Sequence, residues 1–126
     1  MPRALLLLFF LFLGGCAEPP IRVAATYADQ GFDYKSPGGR RVRISGEIQR
    51  LEQGTYAPAY TFVLRVMANG REAFAGGLNP STVSGTVGGS IDGRPAGAVC
   101  ISSGFWSRDV SCQVSVDGAL VGTLRF

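Results

Sequence analysis

Chemistry in this chain would have to come from nine carboxylates, three cysteines and a small set of aromatic residues, because histidine is absent throughout. Without it the commonest general base is missing, and so are the Ser-His-Asp and Cys-His nucleophile systems and the usual catalytic zinc sites. The carboxylates are Glu18, Asp29, Asp33, Glu47, Glu52, Glu72, Asp92, Asp109 and Asp117. Asp92 and Asp117 each precede a glycine and read as turn residues. Nothing in the spacing of the others selects a pair for glycosidase-type acid–base work. The glycine-rich stretch from Gly85 to Ser90 lacks the lysine and the helix start of a phosphate cradle, and reads as strand and turn. The expectation is a protein that is not an enzyme and takes no cofactor and no metal.

Contact with a partner is the other kind of chemistry, and Gly104-Phe105-Trp106-Ser107-Arg108-Asp109 is the best segment for it. It places the only tryptophan beside a phenylalanine, with an arginine two residues on. Phe105, Trp106 and Arg108 on a rigid loop suit the capture of a protein or ligand. The competing role for the two rings is to fold back and cap an open end of the core. Tyr56 and Tyr60, flanking Pro58, carry the same two alternatives. Arg40, Arg41 and Arg43 read as the solvated face of an edge strand, where charge blocks sheet-to-sheet association.

These residues need a scaffold, and the sequence after Glu18 offers no helical period. Short runs of Val, Ile, Thr and aromatic residues are separated by glycine-containing turns, the pattern of an all-β chain. Ile21 to Ala28 predicts a first strand, Asp29 to Gly39 a loop, Arg41 to Gln49 a strand, and Leu51 to Pro58 a polar connection. In the run from Thr61 to Phe74, a three-residue loop Ala68-Asn69-Gly70 would set Phe74 opposite Leu64. In the run from Asp109 to Phe126, a loop Val116-Asp117-Gly118 would set Leu120 opposite Val114 and Leu124 opposite Val110. Thr82 to Ile91 and Ala96 to Ser102 flank Asp92-Gly93, another hairpin signal. Seven or eight strands follow, best arranged as a small antiparallel β-sandwich of Ig-like type, with a small closed barrel as the alternative.

The N-terminus reads MPRALLLLFFLFLGGC: one arginine, an apolar run from Ala4 to Leu13, two glycines and a cysteine. The run is too short to span a bilayer and has the form of a secretory signal. Leu13-Gly14-Gly15-Cys16 resembles the lipobox of bacterial lipoproteins, with Gly14 where the family prefers Ala or Ser. The resemblance implies cleavage before Cys16, acylation of that cysteine and attachment to a membrane. Residues 1–15 are then the signal peptide, 16–20 the lipidated cysteine with its tether, and 21–126 a single β domain. In Gram-negative members a residue other than Asp after the cysteine implies outer-membrane sorting, and Ala17 fits that rule. A second, shorter likeness is that the run from Val110 to Gly118 resembles a C-terminal Cys-x-(Ile/Val)-x-Val-Asp-Gly stretch of small mycobacterial export-accessory proteins; it carries no function over.

Export changes the cysteine arithmetic. Cys16 is taken by lipid, which leaves Cys100 and Cys112 as an even pair in an oxidising compartment. They lie six residues either side of Trp106, so a hairpin with its tip there would oppose them, and a disulfide is expected. Cleavage removes 15 of 126 residues and leaves 111, enough for one modest core. Arg3 leaves with the signal, so the net charge falls from +3 to +2, too small an excess to imply a nucleic-acid partner. The expected partners are the membrane, through the lipid, and an envelope protein or glycan. Three roles are consistent with this: a binding or envelope-support lipoprotein, a lipoprotein inhibitor of a hydrolase such as lysozyme or a protease, and a glycan-binding module.

Overall fold

The computed structural model describes residues 19–102 and 109–126, which form eight antiparallel strands and no helix. In the first half β1 spans Arg22–Lys35, β2 Arg41–Gln53, β3 Ala59–Ala68 and β4 Arg71–Leu78. In the second half β5 spans Gly85–Ile91, β6 Arg94–Ser102, β7 Val110–Val116 and β8 Ala119–Arg125. Strands pair in chain order, β1-β2-β3-β4 in one sheet and β5-β6-β7-β8 in the other. The all-β sandwich expected from the sequence is therefore present, built as two successive meanders. The alternative closed barrel is not. It would need ladders from β4 to β5 and from β8 to β1, whereas the first junction has one isolated bridge, Asn79 with Ser84, and the second has no ladder.

Strand alternation decides which side chains meet between the sheets. Val42, Ile44 and Ile48 of β2, with Leu64 and Val66 of β3, are buried against Ala98, Cys100, Cys112, Val114 and Leu124 of the second sheet. Glycines on the inner faces leave room for bulky side chains from the opposite sheet. A Cβ on Gly122 would stand 2.5 Å from the Phe32 ring, one on Gly46 2.8 Å from a Leu124 methyl, and one on Gly89 would overlap Phe74. The same glycines blur the alternation that marks a strand in the sequence.

Three expectations about local structure are corrected. The segment from Asp29 to Gly39 is not a loop as a whole, because β1 continues to Lys35. A bulge between Asp29 and Phe32 re-aims the chain so that Phe32 pairs with Ile44 and Tyr34 with Val42. Gly31 makes this possible: its φ is +78°, and a Cβ there would overlap the Ile44 carbonyl oxygen. Likewise β2 runs on to Gln53, shortening the expected connection to a turn before Ala59.

The third correction concerns hairpin register. Asn69-Gly70, Asp92-Gly93 and Asp117-Gly118 all have positive φ at both positions, between 51° and 78°. They are two-residue turns of type I′, whose twist matches that of the strands they join. The extra residue expected in two of the loops lies instead in bulges, between Val66 and Met67 and between Val114 and Ser115. Phe74 therefore faces Val66 rather than Leu64, and Leu124 faces Cys112 rather than Val110. Leu120 pairs with Ser115 and is exposed.

Candidate functional site

Cys100 on β6 and Cys112 on β7 are directly opposed, with Cα atoms 4.0 Å apart, and form the expected disulfide. Both are buried. Further along the same hairpin, the Ser102 hydroxyl donates to the Thr82 carbonyl oxygen at 2.7 Å. The Val110 and Phe126 backbones exchange hydrogen bonds of 3.2 and 2.9 Å. The stems of the connection from β6 to β7 are thus fixed covalently and by hydrogen bonds. Phe105, Trp106 and Arg108, proposed from the sequence as the contact loop, lie outside the described residues, and so does Cys16.

Tyr56 and Tyr60 are exposed, Tyr60 by 44%, so neither caps the core. Behind Tyr60 stands a charged residue, Arg50. Arg50 follows Val42, Ile44, Gly46 and Ile48 at alternate positions of β2, which places a charge on the inward face, paired with Ala25 and Phe62. Its guanidinium carbon lies 5.3 Å from the centre of the Tyr60 ring, a cation–π distance. Its Nε is buried and makes no hydrogen bond. Five other arginines of the described residues have carboxylate partners, from Arg22 with Glu52 to Arg94 with Asp117, and Arg50 is not among them. Extending the inward alternation past Ile48 would have marked Arg50 in the sequence.

The outer faces of the two sheets differ in charge. On the first, Arg65 of β3 lies between Glu47 at 3.0 Å and Glu72 at 2.8 Å, and Arg43 meets Asp33 at 3.3 Å. The hydrogen bond to Glu72 is the largest influence raising the Arg65 pKa above its ordinary value. On the second sheet the register gives three outward rows of three or four strands, Ile101-Ser111-Arg125, Thr86-Val99-Gln113-Thr123 and Gly88-Gly97-Ser115-Leu120, with the outward pair Ser90–Pro95 beyond them. Arg125 is the one charge in these rows, and they contain no aromatic residue. Val99, Ile101 and Leu120 are exposed.

Among the described residues no three His, Cys, Asp or Glu side chains come together as a metal site. The fold and its surfaces define a small meander sandwich with one internal disulfide, one charge-laced face and one charge-poor face. No family model, curated protein or solved structure matches the chain.

Proposed function

We propose that this chain is an exported, lipid-anchored, non-enzymatic β-sandwich that binds a protein of the cell envelope through the outer face of its second sheet. One observation carries the reading: the three outward rows of that face hold a single charge, Arg125, and three exposed aliphatic side chains. A sheet face that meets only water is ordinarily kept from association by charge, as the first sheet is by Arg43, Asp33, Glu47, Arg65 and Glu72. The centre of a protein–protein interface is depleted in charge, as the second sheet is. A glycan module would instead call for coplanar aromatics. Hydrolase inhibition is the narrower form of this reading, with an enzyme as the bound protein. The Leu13-Gly14-Gly15-Cys16 ending supports anchoring, and the Cys100–Cys112 disulfide supports an oxidising compartment.

The test places a photo-crosslinking residue at Gln113, on the second sheet, or at Ala75, on the outer face of the first, in the full chain expressed in bacterial cells. The expected result is a discrete protein adduct from Gln113 and none from Ala75. The adduct is lost in a Val99→Glu background whose melting temperature is unchanged. Equal adducts from both positions, or none from Gln113, would overturn the reading. Mass analysis of the mature N-terminal peptide tests for acyl chains on Cys16.

A further inference from the structure

The sandwich has two chemically different ends, and the chain that leads to Cys16 leaves from one of them. At that end are the start of β1, the turn from β2 to β3, the connection from β4 to β5 and the stems of the connection from β6 to β7. The opposite end carries the three type I′ turns and the turn before Arg41. The opposite end is polar and ion-paired, with Arg40 to Asp92 at 3.2 Å and Arg94 to Asp117 close beside it at 2.6 Å. The first end exposes Ile21, Val23, Tyr56, Tyr60 and Ile101, five of the seven exposed large hydrophobic residues of the described chain. It also holds Arg50, over the Tyr60 ring and without a carboxylate partner among the described residues.

The tether fixes what this end must face. The Pro19 carbonyl oxygen accepts a hydrogen bond of 3.1 Å from Gln53 Nε2, which ties the chain to the end of β2. Only two residues, Ala17 and Glu18, separate Cys16 from Pro19, so the three steps reach about 10 Å even when fully extended. Resting on the reading of Cys16 as the lipid-bearing residue, we infer that the sandwich seats this end on the bilayer, with Tyr56 and Tyr60 at headgroup level. A tyrosine suits that depth because its ring is apolar and its hydroxyl stays wet. Ile21 and Val23 add apolar contact beside the tether, and Arg50 supplies positive charge towards lipid phosphates. The lipid provides the affinity, and these side chains provide an orientation. Seated in this way, the charge-poor face of the second sheet stands across the membrane plane rather than against it, open to a neighbouring protein.

The test uses residues 16–126, which retain every strand, coupled through the Cys16 thiol to maleimide-headgroup lipid in phosphatidylcholine–phosphatidylglycerol vesicles. Cys100 and Cys112 are spent in the disulfide and do not react. Amide hydrogen exchange is compared with that of the same chain capped by N-ethylmaleimide and free of vesicles. The expected result is exchange slowed by about fivefold or more at Ile21–Val23 and through the Tyr56–Tyr60 turn, with Asp117-Gly118 unchanged. The double variant Tyr56→Ser, Tyr60→Ser loses the slowing and keeps its melting temperature. Unchanged exchange at this end, or slowing at the Asn69-Gly70 and Asp117-Gly118 turns instead, would overturn the inference. Slowing of the vesicle-free chain on adding lipid-free envelope protein would overturn it as well, by making this end a protein-docking surface. Because the coupling is chemical, absence of acyl chains on Cys16 from cells would defeat the anchoring reading alone and leave the vesicle result to stand or fall separately.

Discussion

Asp29 and Arg125 are joined by a hydrogen bond of 2.6 Å, the Asp29 carboxylate accepting from the Arg125 backbone N–H across 96 positions of sequence. The other carboxylate oxygen takes the Gly31 N–H at 2.9 Å. One side chain thus holds the bulge in β1 and ties the first strand to the last where no ladder joins the sheets. Asp29→Ala removes an ionised acceptor from two backbone donors and is expected to destabilise the fold by about 2–3 kcal/mol. Urea unfolding measures the loss. Amide exchange should show the Arg125 N–H opening more than the Leu124 region as a whole, because only the former loses its partner.

Gly31 makes a sharper prediction about the same bulge. With φ at +78° and the Ile44 carbonyl in the space of a Cβ, Gly31→Ala suffers both a strained conformation and a backbone clash. The expected cost is about 3 kcal/mol or more. Gly39→Ala, also at positive φ but with no atom within 4 Å of the added Cβ, should cost only about 1 kcal/mol. Melting curves of the two variants separate clash from conformation. Equal losses would show that the bulge can move.

The same residues explain what could be read from the sequence. Wherever apolar residues alternate without interruption, as in Val42, Ile44 and in Cys112, Val114, Val116, strands and inner faces were legible. The pairing of Cys100 with Cys112 was legible too, since symmetric spacing about a turn is a statement of register. The continuation of β1 was hidden because Asp29, Gly31 and Asp33 give the composition of a loop while Phe32 and Tyr34 alone keep the period. The bulges at Val66 and Val114 were hidden because an Asn-Gly or Asp-Gly turn followed by apolar residues fits either loop length. What decides between them is packing: Phe74 and Gly89 meet across the sheets, and so do Phe32 and Gly122. Of the surfaces, the aromatic exposure of Tyr56 and Tyr60 could be suspected, whereas the charge-poor face required a register to assemble it from four strands.

The disulfide joins neighbours already held by a ladder, so its main effect is on the unfolded chain. With a sequence separation of 12 residues, loop closure accounts for about 3 kcal/mol in the chain-entropy description. The double variant Cys100→Ala, Cys112→Ala should lose at least that amount, since two buried sulfur atoms also leave a void. Circular dichroism should still report a β fold at low temperature, because both sheets keep their ladders. A variant as stable as the parent in urea would show that the bond constrains little.

Arg50 separates stability from use. Its buried, unbonded Nε is a desolvated donor with nothing in return, an arrangement that costs about 1–3 kcal/mol. The stacking on Tyr60 returns only about 0.5–1 kcal/mol. Arg50→Met keeps the apolar stem against Ala25 and Phe62 and removes the donor, so the variant should be more stable than the parent by about 1 kcal/mol. Equilibrium unfolding in urea, with the slope unchanged, is the measurement. The same variant on vesicles should bind through its lipid as before yet recover faster amide exchange around Tyr60, because the charge facing the phosphates is gone. A gain in stability together with a loss of seating would mark Arg50 as a residue whose burial serves contact rather than folding. A loss of stability would mean instead that the guanidinium already has, within the fold, the acceptor it needs.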